Sequence, residues 1–173
     1  MYLLPKPKTI KEQDGQMLLC HSTHIVMTKE VAETEMHAAK RLQEAIRQET
    51  GLILPFSVGE VREGDLSLGI AKTLPEQTYE ITIDEKGGQI SGGDGAGVLY
   101  GVETFCQIVQ QCGGILPCVQ IQDAPDMPNR GYYFDQTRGR VLKLEELKKI
   151  ADRMCRYCLL YTSPSPRDYA ASR

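Results

Sequence analysis

Polar and apolar residues alternate through Tyr79-Glu80-Ile81-Thr82-Ile83-Asp84, which places Tyr79, Ile81 and Ile83 on one face of an extended segment. A period of two is the mark of a strand with one face buried. Lys86-Gly87-Gly88 is expected to turn the chain, with Gln89-Ile90-Ser91-Gly92 returning as the hairpin partner. Asp65-Leu66-Ser67-Leu68-Gly69-Ile70 alternates in the same way, and Ile115 to Gln122 reads as a further strand. Thr9 to Met27 reads as extended, with His24-Ile25-Val26-Met27 the clearest strand in it.

The spacing changes to three and four in two places. Val31, Glu35, Ala38, Ala39, Leu42, Ala45 and Ile46 fall on one helical face with a single polar break at Glu35. Thr28 is the expected N-cap, Glu30 stands in the first turn, and Gly51 supplies the stop. A second helix from about Ala96 to Gln111 buries Val98, Leu99, Val102, Phe105, Cys106 and Val109. The order β-α-β-β-β-α-β predicts an α/β fold, a small mixed sheet with two packed helices.

The texture changes after Asp123-Ala124-Pro125-Asp126-Met127-Pro128, a linker punctuated by proline. Gly131-Tyr132-Tyr133-Phe134-Asp135 is a nearly unbroken apolar run, as expected of a parallel strand covered on both faces. A loop from Gln136 to Val141 leads to a helix carrying Leu144, Leu147, Ile150, Ala151 and Met154 on one stripe. That is one βα unit, the first piece of an incomplete (β/α)8 barrel, since a single unit cannot cover its own apolar face.

Composition narrows the function. A net charge of -3 with scattered Lys and Arg offers no basic stripe, so no nucleic-acid partner is expected. No apolar run reaches the roughly 18 residues of a membrane-spanning helix, so no membrane partner is expected either. The apolar start Met1-Tyr2-Leu3-Leu4 stops at Pro5 without a signal-peptide pattern, which points to the cytoplasm. The 6 cysteines have neither disulfide-scaffold nor zinc-site spacing, and Cys106 and Cys118 read as buried thiols. His21, His24 and His37 lack ligand spacing, so no metal and no cofactor is expected. The run Gly92-Gly93-Asp94-Gly95-Ala96-Gly97 lies between strand and helix, where a phosphate-binding turn would sit. It contains no G-x-G-x-x-G, and a tight turn with close helix–sheet packing accounts for it better.

The end of the chain departs from all of these patterns. Cys158-Leu159-Leu160-Tyr161-Thr162-Ser163-Pro164-Ser165-Pro166-Arg167-Asp168 resembles, codon for codon, the translation of a transposase-type sequencing adapter. Residues 158–173 are therefore expected to be a scar and are set apart from the fold. Cys155-x-x-Cys158 then carries no metal-site meaning.

Two segments resemble glycoside hydrolase family 20, the bacterial-type β-N-acetylhexosaminidases. Tyr79 to Ile83, followed by Ile90 through Gln107, is similar to the family's N-terminal domain: a strand, a glycine-rich turn with Asp94, then a helix with Tyr100-Gly101 and Thr104…Gln107. Pro128-Asn129-Arg130-Gly131-Tyr132-Tyr133-Phe134-Asp135-Gln136-Thr137-Arg138-Gly139-Arg140 resembles the opening of its catalytic barrel. The departure is at Thr137-Arg138-Gly139-Arg140, where many members carry Ser-Arg-His.

The resemblance implies a retaining hydrolase in which the substrate's own acetamido oxygen attacks C1, one of the known exceptions to the two-carboxylate scheme. It assigns Arg130 to the hydroxyls of a terminal N-acetylhexosamine, which a rigid guanidinium fork can grip in pairs. Asp135 and Arg138, at the C-terminal end of the strand, would shape the pocket. The family's catalytic Asp-Glu pair comes from a later barrel strand, so no catalytic residue is assigned, and a fragment of this extent is expected to be inactive. Glu145 and Glu146 sit in the first turn of a surface helix, where acids favour the dipole, and are not borrowed for the role.

The expected domains are 1–122, an α/β domain; 123–157, the start of the barrel; and 158–173, the tail. The substrate of the whole enzyme would be a glycan or chitooligosaccharide-type chain ending in β-linked N-acetylglucosamine or N-acetylgalactosamine. The alternative is a non-catalytic accessory or carbohydrate-associated module of a glycosidase. A third reading, a related hydrolase sharing the first domain but carrying a different barrel, fits Tyr132 to Arg140 less well.

Overall fold

The computed structural model describes residues 1–28, 33–133 and 142–162. The chain divides into two compact units, Met1–Asp126 and Met127–Arg173.

The first unit is built on a sheet of seven strands in the order β1-β7-β5-β6-β4-β2-β3. Its strands are β1 (Thr9–Leu18), β2 (Ile25–Met27), β3 (Phe56–Val58), β4 (Leu66–Ile70), β5 (Tyr79–Asp84), β6 (Gly87–Gly92) and β7 (Ile115–Asp123). β1, β7, β5 and β6 pair antiparallel, whereas β6, β4, β2 and β3 pair parallel, so the sheet is mixed. Helices α1 (Glu33–Thr50) and α2 (Gly95–Cys112) pack on each other and on the sheet.

The alternation read from the sequence decides what faces the helices. Tyr79, Ile81 and Ile83 are buried, whereas on the other face Glu80 and Asp84 are exposed and Thr82 is half-buried. Ala38, Ala39, Leu42 and Ile46 of α1 are fully buried, as are Val102, Phe105, Ile108 and Val109 of α2. Each large aliphatic or aromatic side chain so buried contributes about 1.5–3 kcal/mol of transfer free energy. Gly51, at φ +76°, ends α1 by donating its N–H to Arg47 O at 2.9 Å. The expected start of that helix, Thr28 with Glu30 and Val31, runs into residues outside the described ones.

Three local differences from the sequence reading have physical causes. The hairpin turns on Glu85 and Lys86, and both Gly87 and Gly88 already belong to β6. They serve the sheet: Gly87 lies at φ +154°, where a Cβ would come within 2.7 Å of Asp65 O, and a Cβ on Gly88 would meet Leu66 Cδ2 at 2.6 Å. β3 was not expected, because three residues between Pro55 and Gly59 are too few to display a period. β1 is an edge strand whose register shifts between Glu12 and Gln16, a bulge that bends an exposed edge already carrying Lys11, Glu12 and Asp14.

In the second unit, β8 (Gly131–Tyr133) leads through α3 (Leu144–Arg156) to β9 (Leu160–Thr162). β8 and β9 pair in parallel, with Gly131 opposite Leu160. β9 falls within the segment set apart as a tail. Leu-Tyr-Thr is an apolar, β-favouring run, and such a run adds readily beside an open parallel strand whatever its origin. The continuation of the apolar run through Phe134 and Asp135, and the loop Gln136 to Val141, lie outside the described residues. Among the described residues, no helix is long and apolar enough to cross a membrane.

Candidate functional site

Arg130 stands immediately before β8, at the end of the proline-punctuated linker. It is half-buried, and its Nη1 donates to Met127 O at 3.1 Å and to Pro128 O at 3.4 Å. The side chain therefore stays close to its own linker and fixes the turn that aims β8. Asp135 and Arg138 lie outside the described residues, so the three residues singled out from the sequence are not brought together by the described structure.

The glycine-rich turn before α2 proves to be a closed structural joint. Asp94 caps α2: its Oδ1 accepts from Gly97 N at 2.7 Å and from Gln77 N at 3.0 Å. The chain thus places its own carboxylate where a bound phosphate would meet the helix N-terminus. Gly93 lies against the main chain of Leu74 and Pro75, leaving no room for a side chain.

Three polar constellations were missed by the sequence reading. Asp65, only 3% exposed, accepts from His24 N through Oδ1 and from Arg62 N through Oδ2, both at 2.9 Å. His24 Nδ1 lies 3.5 Å from the same carboxylate and 2.9 Å from Ser22 O. Tyr79 OH sits 2.7 Å from Thr104 Oγ1 and donates to Asp123 Oδ2 at 3.3 Å, while Asp123 Oδ1 accepts from Lys8 N at 3.1 Å. Arg41 of α1 and the buried Glu103 of α2 form an ion pair between the helices.

The thiols differ in character. Cys118 is buried, and burial, with Glu85 and Asp84 adding to it, pushes its pKa up. The half-buried Cys20 lies 3.0 Å from Ser22 Oγ, and hydrogen bonding from Ser22 and then Thr23 pulls its pKa down. Among the described residues, no group of three or more His, Cys, Asp or Glu side chains is placed to hold a metal ion.

A groove of about 250 Å³ opens on the polar face of the sheet. Two rows line it, Thr9–Gln122–Glu80 and Lys11–Gln120–Thr82, set side by side by the register of β1, β7 and β5. Amides, hydroxyls, the Lys11 ammonium and one acid make a surface for hydrogen bonding. They supply no pair of carboxylates across a bond.

Comparison with known proteins gives this geometry its context. The family model described as glycosyl hydrolase family 20, domain 2, matches residues 1–124. A β-hexosaminidase of Porphyromonas gingivalis is 29% identical over 167 residues, covering 90% of this chain and 21% of that protein. A β-hexosaminidase of Vibrio furnissii is 28% identical over 157 residues, covering 90% and 24%. Among solved structures, a mutant Streptomyces plicatus β-hexosaminidase in complex with its product GlcNAc superposes with a TM-score of 0.79 at 22% identity, over 92% of this chain and 33% of that one. The Vibrio harveyi exo-β-N-acetylglucosaminidase in complex with N-acetylglucosamine gives 0.75 at 19% identity, over 94% and 25%.

The seven-stranded unit is thus an α/β domain of the kind described as domain 2 of glycosyl hydrolase family 20. The chain belongs to family 20. It spans between a fifth and a quarter of the length of these curated relatives.

Proposed function

We propose that this chain is the N-terminal part of a β-N-acetylhexosaminidase, which releases terminal β-linked N-acetylglucosamine or N-acetylgalactosamine from glycans. The family match over residues 1–124 carries the reading. The Arg130-Gly131-Tyr132-Tyr133 step supports it, because Arg130 stands directly before β8, the strand that the resemblance reads as the first of a barrel. In the complete enzyme the acetamido oxygen of the substrate attacks C1, and a Glu on a later strand protonates the leaving oxygen. A neighbouring Asp orients the acetamido nitrogen. This chain contributes the sugar-gripping Arg130, with Asp135 and Arg138 shaping the pocket wall. The 173-residue chain, without that Asp-Glu pair, is inactive alone.

We also assign residues 158–173 to adapter-derived sequence. One experiment addresses both statements: the source locus is sequenced across the codon for Tyr157, and the uninterrupted reading frame is expressed and assayed on an aryl β-N-acetylglucosaminide. The expected result is a frame that runs on into a barrel with adjacent Asp and Glu, with hydrolysis by the long product and none by the 173-residue chain. A frame that keeps Ser163-Pro164-Ser165-Pro166 and stops there would overturn both, and would favour an accessory module.

A further inference from the structure

Tyr2 and Leu4 are clasped by α2 in an arrangement that the hydrolase reading does not use. Gln111 donates from Nε2 to Tyr2 O at 2.5 Å and accepts from Tyr2 N at 2.9 Å. Gln107 donates to Leu4 O and accepts from Leu4 N, both at 2.9 Å. Each carboxamide therefore pairs with both main-chain groups of one residue, as a neighbouring strand would.

The spacing explains why two glutamines suffice. Positions i and i+4 of a helix are separated by about 6 Å along its axis, and residues i and i+2 of an extended chain by about 6.6 Å. The two amides thus form a fork in register with alternate residues of an extended peptide running antiparallel to the helix. Between the two clasped residues, Leu3 is 4% exposed, whereas Tyr2 and Leu4 are 76% and 49% exposed. Main-chain groups and the buried side chains of Leu3 and Pro7 hold the segment. The outward side chains are not read.

We propose that this face of α2 is a binding site for an extended peptide, and that the segment Met1–Lys8 is its tethered and exchangeable ligand. The ligand class is defined by the geometry: two free main-chain N–H groups at alternate residues, with an apolar side chain between them. Lys8 completes the contact where its N–H meets the Asp123 carboxylate. In the intact chain the tether keeps the site filled, because an attached segment acts at an effective concentration of roughly millimolar.

The test uses the full chain carrying Leu3→Asp, which expels the tethered segment, and a labelled octapeptide of residues 1–8. Fluorescence anisotropy should show saturable binding to this variant and none to the unsubstituted chain. An octapeptide with Tyr2→Ala and Leu4→Ala should bind as well as the parent, and one with Leu3→Asp should not bind. Absence of binding to a variant that still unfolds in one cooperative transition overturns the proposal. If Leu3→Asp prevents folding, amide exchange decides. Gln107→Met with Gln111→Met should speed exchange at the Tyr2 and Leu4 amides about tenfold, the worth of a pair of ordinary hydrogen bonds. Unchanged exchange would be equally fatal.

Discussion

Replacing Asp65 tests whether one buried carboxylate fastens the parallel half of the sheet. Asp65 stands at the head of β4, where its two oxygens accept from the N–H of His24, just before β2, and of Arg62, in the preceding loop. Its own main chain also receives Gly88 N at 3.0 Å from β6, so the residue sits at a three-strand junction. A hydrogen bond to a charged group contributes about 1.5–3 kcal/mol net. In Asp65→Ala the Arg62 amide, at an exposed position, recovers water, while the half-buried His24 amide recovers less. The expected loss is therefore nearer the cost of one orphaned bond plus part of a second, about 2–3 kcal/mol. Asn at this position keeps one acceptor and should lose only about 1 kcal/mol. For a unit of this size each kcal/mol lowers Tm by about 3–5 °C, so alanine should cost roughly twice to three times what asparagine does. Denaturant unfolding followed by circular dichroism reads both, with the m-value held as the check that the same surface unfolds. An alanine variant within about 0.5 kcal/mol of the parent, the range of ordinary surface substitutions, would refute the argument. So would an asparagine variant less stable than the alanine one.

Three further outcomes follow from contacts already described. Gly101→Ala gains about 1 kcal/mol of helix propensity but drives a Cβ to 2.7 Å from Ile90 Cγ2. Overpacking of a stiff, buried neighbour costs about 1–3 kcal/mol, so Tm should fall by a few degrees, and a rise would show that Ile90 yields freely. Because a lower pKa leaves more thiolate at any given pH, iodoacetamide should label Cys20 at lower pH and sooner than Cys118 in the folded protein. Equal rates by mass spectrometry contradict the assignment. In the enzyme extended through its barrel, Arg130→Ala should raise KM about 100-fold, the loss of two charge-assisted bonds, with Arg130→Lys recovering only part. An unchanged KM with a lowered Tm would mean that Arg130 serves only the Met127 and Pro128 carbonyls.

How much of this was legible depends on how far each feature repeats. β5 and α2 announce themselves because six residues of alternation, or several turns of three-and-four spacing, outweigh local accidents. β3 offers three residues and no period, so only its pairing with β2 reveals it. Gly87 and Gly88 read as turn residues since glycine marks a tight turn and a close strand contact with the same letter. Asp65 looked like the polar start of an alternating strand, because a sequence does not show which distant amides will face a carboxylate. Arg130 was reachable only through its resemblance to a family, as a single arginine after a linker has no chemical signature. Gln107 was part of that resemblance, but its partner at Leu4 is 103 residues away and makes contact through the main chain, which no side-chain pattern encodes.

Lys8 meets the last residues of its unit twice, through its N–H on Asp123 and through Nζ on Asp126 at 2.8 Å. Residue 8, where β1 is about to begin, therefore meets the end of the seven-stranded unit at a single corner. A module with adjoining ends behaves as a cassette: it can be spliced into a host chain, or excised from one, without forcing the host's own ends apart. For genes that shuffle domains, such a unit can be moved between different neighbours. For the experimenter, it allows circular permutation, joining residue 126 to residue 8 by a short loop, without residues 1–7, and opening the chain elsewhere.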